Sequence, residues 1–391
     1  MSKLSRLLES IPPSATMAVN DKANAMLAAG LDIVILGGGD PDFDTPTHIV
    51  EAGIAAMRAG KTHYPAPSKG ITDLLEGISR KMKRENGVRV DPGTQIIVTP
   101  GSKWALFIAL AAVSNPGDEI LFLEPAWVSY GPMIRLNGGT PVAVSLSWED
   151  NFSITTDILR KQISTKTKAL LVNSPCNPTG RVLTRSEIAA IVTVAVENDL
   201  YIITDEVYEK LVYDDHFHRS LAAEPGMAER TLTTNGLSKG YAMTGWRLGW
   251  LAGPAPIIKL AGKMHSQAVT SAATFTMAAA VAALNGSQDP VQEMRDSYRE
   301  RRDFMVEALN TIPGIYCPTP EGAFYLLPRF TGTDKDSLAL AEALLNQAGI
   351  AATPGIVFGS SAEKHIRFSI ASPLAELEKA VDRLVKIVPK L

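Results

Sequence analysis

The chain is short of cysteine, of net charge and of long apolar runs, and each shortage excludes a class of protein. Only two of its 391 residues are cysteine, Cys176 and Cys317. Two distant thiols cannot build a disulfide framework, and they supply no Cys-x-x-Cys zinc motif. The formal net charge is -3, which gives no electrostatic reason to expect nucleic acid or a membrane surface as partner. No apolar run reaches the roughly 18 residues that a membrane-spanning helix needs. The first residues, MSKLSRLLESIPPSAT, lack the apolar core of a secretion signal, so a cytoplasmic location is the default expectation. Histidine is scarce, six in all. His216 and His218 stand two apart in an acidic segment, but with no third ligand in sight a solvated loop is expected there and no metal site.

What is present is an ordinary globular composition, 46% hydrophobic and 20% charged, in a chain long enough for two or three domains. Short β-rich runs alternate with longer helical patterns. QIIVT (95–99), EILFLE (119–124), KALLVN (168–173), YIITD (201–205) and RTLTT (230–234) read as strands. KWALFIALAAV (103–113) reads as a helix. TRSEIAAIVTVAVEND reads as another, with Thr184 and Glu187 at capping-box spacing and Ile188, Ile191, Val192 and Ala195 on one face. Continuous apolar strands imply burial on both faces. The fold class is therefore α/β, a mostly parallel sheet flanked by helices. Beyond about Gln288 a charged helical run and shorter strand-like pieces, GAFYLLP and HIRFSIA, suggest a smaller α+β domain. The expected division is an N-terminal segment, 1–45, packing with that small domain, a large domain, 46–288, and the small domain, 289–391.

Ligands gather at the carboxyl ends of strands in such sheets. TPGSKW follows one strand and opens a helix, so Gly101, Ser102 and Lys103 present an anion-favouring helix N-terminus, or simply a turn and cap. NSPCNPTG follows a second strand with Asn177, TDEVY a third with Asp205 and Tyr208; read alone, these serve equally as a turn and a helix cap. The fourth leads into NGLSKGYAMTGWRLGW, with Ser238, Lys239 and Arg247. A lysine there is either a snorkelling surface residue or an amine kept partly neutral for Schiff-base chemistry. The Gly37–Gly39 run does not have the spacing of a dinucleotide fingerprint.

NPTG, TDEVY, SKGYAMTGWRLGW and HIRFS, in that order, resemble the fold-type I aminotransferases that use pyridoxal 5'-phosphate. PPSATMAVNDKA, LGGGDPDFDTP, THYPAPSKGI and EPAWVSYGPM extend the resemblance to the bacterial branch of aspartate aminotransferases and to nearly the whole chain. The resemblance implies that Lys239 is the Schiff-base lysine and proton carrier, and that Asp205 faces the pyridine nitrogen. It implies that Asn177 and Tyr208 bond the ring oxygen, and that Trp127 stacks on the ring. Gly101, Ser102, Ser238 and Arg247 would hold the phosphate. Tyr64 would reach the phosphate of a neighbouring subunit, making a homodimer with shared sites. Arg367 would clamp the substrate α-carboxylate, with a backbone N–H of Gly38 or Gly39 beside it. Lys103, Ser14 and Thr16 match the positions that grip a second carboxylate in this branch.

These assignments imply a ping-pong exchange between an L-amino acid and a 2-oxo acid, aspartate and 2-oxoglutarate fitting best. Aminotransfer on aromatic amino acids, prephenate or arginine, or a carbon–sulfur lyase, is the alternative. One position departs from the pattern. PAW stands where PYW is expected, and the small Ala126 beside Trp127 is expected to change the substrate pocket.

Overall fold

The computed structural model describes residues 4–13 and 15–391; the side chains of Ala15, Thr16, Met17 and Asn20 lie outside the description. A short strand, β1 (Val34–Ile35), precedes the main sheet. The sheet contains β2 (Ile96–Thr99), β3 (Glu119–Glu124), β4 (Thr140–Ser145), β5 (Thr167–Asn173), β6 (Tyr201–Asp205), β7 (Thr231–Gly236) and β8 (Gly249–Ala252). Their order is β2-β8-β7-β6-β5-β3-β4. The five strands β7, β6, β5, β3 and β4 pair in parallel, and β8 runs antiparallel to both its neighbours.

Successive side chains of a strand point to opposite faces, so a strand covered on both sides needs apolar residues throughout. Ile203 and Leu171 pack with the helix Ser102–Val113 on one face. Ile202, Leu170 and Val172 pack with the helix Arg185–Glu197 on the other. That second helix starts as its sequence requires. The Thr184 hydroxyl accepts from the Glu187 N–H at 3.2 Å, and the Glu187 carboxylate accepts from the Thr184 N–H at 2.9 Å. Such a box satisfies N–H groups that the first turn leaves unpaired. On the β2–β8 side, Val98 and Trp250 are sealed by the helices Thr47–Arg58, Thr72–Lys81 and Thr274–Asn285.

A separate core gathers around the helices Asp289–Asn310, Ser337–Ala348 and Leu374–Ile387. Its strands are β9 (Ile315–Tyr316), β10 (Tyr325–Leu326), β11 (Arg329–Phe330), β12 (Ile350–Ala351), β13 (Thr353–Pro354) and β14 (Ile366–Ser369). β1 pairs in parallel with β12, and Val34 and Leu36 belong to this core. Val207, Tyr208 and Leu211, which follow β6, reach the same core. The loop after β6 therefore joins the large sheet to the C-terminal elements.

Two sheet strands have no counterpart among the five expected. β4 lies at the sheet edge, and its β-branched residues Thr140, Val142 and Val144 alternate with Pro141, Ala143 and Ser145. β8 lies within the glycine-rich GWLA run and is buried at every position.

Candidate active site

The register of the sheet places the candidate residues. Asn173 ends β5, Asp205 ends β6 beside it, and Thr234 lies opposite Asp205 on β7. Gly249 pairs with Thr99 on one side and Gly236 on the other. The carboxyl ends of β2, β5, β6 and β7 thus share one edge, with the start of β8 threaded between them. Gly249 must be glycine for this. A Cβ there would stand 2.5 Å from the Ser102 nitrogen, at the start of the helix Ser102–Val113. Gly101 is constrained twice over. Its φ is +92°, and a Cβ would approach the Arg247 guanidinium to 2.6 Å.

Along that edge lies a cavity of about 270 Å³, walled by Gly37, Gly39, Asp40, Ser102, Trp127, Tyr130, Asn173, Asn177, Asp205, Val207, Tyr208, Lys239, Tyr325 and Arg367. Its polar groups are matched in pairs. The Tyr130 hydroxyl donates to Asp205 Oδ2 at 2.9 Å. Arg367 donates to Asn177 Oδ1 at 3.0 Å and to the Gly37 carbonyl at 2.7 Å, while its buried Nε–H has no partner. Tyr208 and Tyr325 share a hydroxyl–hydroxyl bond of 3.0 Å. Lys239 Nζ donates to the Gly39 carbonyl.

Burial moves the proton affinities of these groups. Loss of water lowers the Lys239 ammonium to about 8; Arg247 and Arg367 push the same way, and Asp40 and Asp205 oppose them. Burial raises Asp205 to about 6, against the Tyr130 hydroxyl and the Val207 N–H that stabilise its anion. Tyr208 is raised well above its ordinary value by burial and by Tyr325. Burial, and then the Arg247 charge, lower Lys103. A lysine that gives up its proton near neutrality beside a buried carboxylate is equipped for nucleophilic and acid–base chemistry.

Eight of the sixteen residues singled out in the sequence stand on this wall: Gly39, Ser102, Trp127, Asn177, Asp205, Tyr208, Lys239 and Arg367. Gly101, Lys103, Ser238 and Arg247 are absent from it and adjoin it through Ser102, Lys239 and Gly101. Lys103 Nζ lies 5.0 Å from the Trp127 ring. Gly38 is absent from the wall, and the run meets Arg367 and Lys239 through the carbonyls of Gly37 and Gly39. Tyr64 is 82% exposed, away from the cavity of its own chain. Ser14 lies outside the described residues, as does the side chain of Thr16. Tyr130, Asn173 and Tyr325 escaped the sequence reading. Asn173 ends KALLVN, and the rule that drew attention to Asp205 applies to it equally. Tyr130 is the third residue after Trp127 in the same motif.

One expectation is corrected and one is refined. Ala126 does not open the polar cavity. It lines a separate apolar cavity of about 40 Å³ with Leu123, Leu146, Phe152 and Leu171, behind the shared wall of Tyr130, Asn173 and Asn177. The loop around His216 and His218 is exposed as expected, but His218 itself turns inward. Its side chain is 8% exposed, and its Nε2 lies 3.2 Å from a Glu206 carboxylate oxygen. Glu206, Glu209 and His218 form the one group of three metal-capable side chains among the described residues. The Lys81 ammonium already contacts Glu209 and lies 3.6 Å from Glu85, so Glu209 has a cation of the protein's own.

The comparisons with known proteins agree with this geometry. Residues 32–384 match the family model described as aminotransferase class I and II. The chain is 43% identical to the aspartate aminotransferase of Musicola paradisiaca, covering 96% of this chain and 94% of that one. It is 42% identical to the aspartate/prephenate aminotransferase of Thermus thermophilus, over 99% of each. It superposes on the structure of an aspartate aminotransferase from Thermus thermophilus with maleate at a TM-score of 0.94, with 42% identity, 99% of this chain and 100% of the other. Among the described residues no helix is long and apolar enough to cross a membrane. A family match over most of the length, with a sheet and helices that superpose on a solved member, makes this chain an aminotransferase of classes I and II, in the fold-type I aspartate aminotransferase family.

Proposed function

We propose that the polar cavity binds pyridoxal 5'-phosphate and that the enzyme exchanges amino groups between aspartate and 2-oxoglutarate by a ping-pong route. The observation that carries this reading is one half-buried amine, Lys239, in the same cavity as a buried carboxylate, Asp205, and a buried guanidinium, Arg367. The residues fit the cofactor. A helix N-terminus capped by Gly101, with Arg247 against it, suits the phosphate. Ser238 would complete that cradle. Asp205 would hold the ring nitrogen, and pairing with its cation would restore the carboxylate that burial disfavours. Trp127 would cover the ring, and Asn177 and Tyr208 would bond its oxygen. When bound, the cofactor supplies an electron sink for the substrate carbon that loses its proton.

The chain's own residues do the rest. Lys239 Nζ would hold the cofactor, and as a free amine, with its affinity lowered to about 8, it would carry the proton removed from the substrate Cα. Arg367 would offer a planar fork to the α-carboxylate, and its buried Nε–H, which has no partner within the chain, is a further donor. Gly38 or Gly39 would add a backbone N–H. Lys103, with Ser14 and Thr16, would receive a second carboxylate, which favours dicarboxylic substrates.

Tyr64, exposed in the single chain, would meet the phosphate of a second copy in a homodimer. Residues 1–45 and 289–391 would move as one lobe against 46–288, and the protein would act in the cytoplasm.

Borohydride reduction of the protein loaded with pyridoxal phosphate tests the anchor. The cofactor mass is expected on the Lys239 peptide and is lost in Lys239→Ala. A wild-type protein that takes up no cofactor overturns the proposal. A half-reaction screen of single amino acids, read by absorbance, tests the substrate; aspartate is expected to convert fastest. Prephenate belongs in the acceptor screen because the Thermus relative's name includes it.

A further inference from the structure

Tyr325, on β10, is in contact with three parts of the cavity at once. Its hydroxyl lies 3.0 Å from that of Tyr208. Its ring lies 4.3 Å from the Arg367 guanidinium, which also sits 4.9 Å from the Phe358 ring. Its hydroxyl also explains why residue 39 is glycine, because a Cβ there would stand 2.8 Å from it. Tyr325 is 2% exposed, so water cannot substitute for any of these contacts.

The geometry points to Tyr325 as a positioning residue with two separable tasks: its ring fixes the plane of Arg367 for the substrate carboxylate, and its hydroxyl fixes the direction in which Tyr208 donates. This rests on the roles proposed above for Arg367 and Tyr208. The first task follows from how Arg367 is held. Asn177 takes an N–H from one terminal nitrogen, and Gly37 and, at 3.4 Å, the Thr353 hydroxyl take those of the other, which pins the guanidinium edge and leaves its tilt about that edge to the rings. A flat ring beneath a desolvated guanidinium fixes that tilt and favours the charge.

The second task follows from counting hydrogens. Each phenol has one O–H and can also accept. If Tyr208 donates to Tyr325, it has nothing left for a ligand oxygen. If Tyr325 donates, the Tyr208 hydrogen is free, and the incoming bond makes Tyr208 a stronger donor. An anionic oxygen on the cofactor selects the second arrangement. The ionisable groups facing Tyr325 are Arg367, Tyr208 and Asp40; of the two that can accept its hydrogen, Tyr208 is the one its hydroxyl bonds. Lys239 lies beyond, 5.8 Å from the neighbouring Phe324 ring.

Two variants of the cofactor-loaded enzyme separate the tasks. Tyr325→Phe keeps the ring and removes the hydroxyl. The pH midpoint of the bound cofactor's visible absorbance is expected to rise, because the ring-oxygen anion loses support, while KM for aspartate stays within about twofold. Tyr325→Leu removes both, and KM is expected to rise about tenfold with a smaller change in kcat. If Tyr325→Leu does not fold, Tyr325→Met, which also removes the ring, takes its place under the same expectation. An unmoved midpoint in Tyr325→Phe overturns the hydroxyl task. An unmoved KM in the ringless variant overturns the ring task. Failure of the underlying reading looks different: the wild type takes up no cofactor, or Arg367→Ala leaves KM for aspartate unchanged.

Discussion

Two cavities share a wall in this protein, and they are built by opposite rules. The larger, about 270 Å³, collects Lys239, Asp205 and Arg367 at strand ends. The smaller, about 40 Å³, is lined by Leu123, Ala126, Leu146, Phe152 and other apolar side chains. Tyr130, Asn173 and Asn177 face both. In the first, each buried charge has partners and a displaced proton affinity, so a change of one group is felt by the others. In the second, apolar side chains dominate, with Cys176, Thr179 and Arg181 among the lining, and volume is the main constraint. The contrast shows that the position of a residue beside a motif does not decide which rule governs it. Ala126 adjoins Trp127 in sequence, yet the two line different cavities.

The largest effect is expected from Lys239→Ala, about 10⁴-fold or more in kcat for aspartate, measured by steady-state kinetics. A loss below tenfold would mean that the polar cavity does not depend on its amine. Next comes Lys81→Met, which tests the charges behind that cavity. Glu206 and Glu209 follow Asp205 and Tyr208 directly, and Lys81 together with Asn86 holds Glu209. Leaving Glu209 without its cation is expected to cost about 3–5 kcal/mol in denaturant unfolding.

The same pair sets an acid limit. Burial alone would raise Glu209, but Lys81, His218 and Asn86 bring it down to about 2 from 4.5. A carboxylate depressed in the fold contributes its full stability above its unfolded value, and that contribution is lost as pH falls from about 4.5 towards 2. Unfolding followed against pH should show this loss in the wild type and a flatter acid limb in Lys81→Met.

A third variant, Arg367→Lys, keeps the charge and loses the fork. KM for aspartate is expected to rise about 100-fold with cofactor uptake unchanged. Loss of the cofactor as well would show that Arg367 holds the cofactor itself. The smallest effect is expected from Ala126→Val. Stability should change by less than about 1.5 kcal/mol and KM by less than twofold, because only the apolar cavity is touched. A tenfold KM change there would show that the shared wall transmits volume to the polar side.

The strand ends were legible because strands buried on both faces are continuous apolar runs, and polar residues just beyond them have no packing role. That logic led to Asn177, Asp205 and Lys239. It failed where the strand signal is broken. In β8, Gly249 interrupts the apolar run, and the reason is the adjacent Ser102 backbone, which no sequence pattern displays. Tyr325 lies in GAFYLLP, a run that reads as core. Its role depends on Arg367, across the antiparallel β10–β14 pair, and on Tyr208 in another part of the chain. Arg367 was legible only through the HIRFS resemblance, since a strand arginine alone reads as a surface residue. Ala126 misled because adjacency in sequence says nothing about facing direction.

The place of β8 has a consequence for how the chain is made. β2 touches no other strand of the sheet except β8, and Ile96 pairs with Ala252. During synthesis the first strand of the sheet must therefore wait, unpaired, until the last has left the ribosome. The helix start at Ser102 acquires its neighbour Gly249 at the same moment. Nascent chains halted before Gly249 should expose β2 as a bare edge and be the form that chaperones and proteases meet.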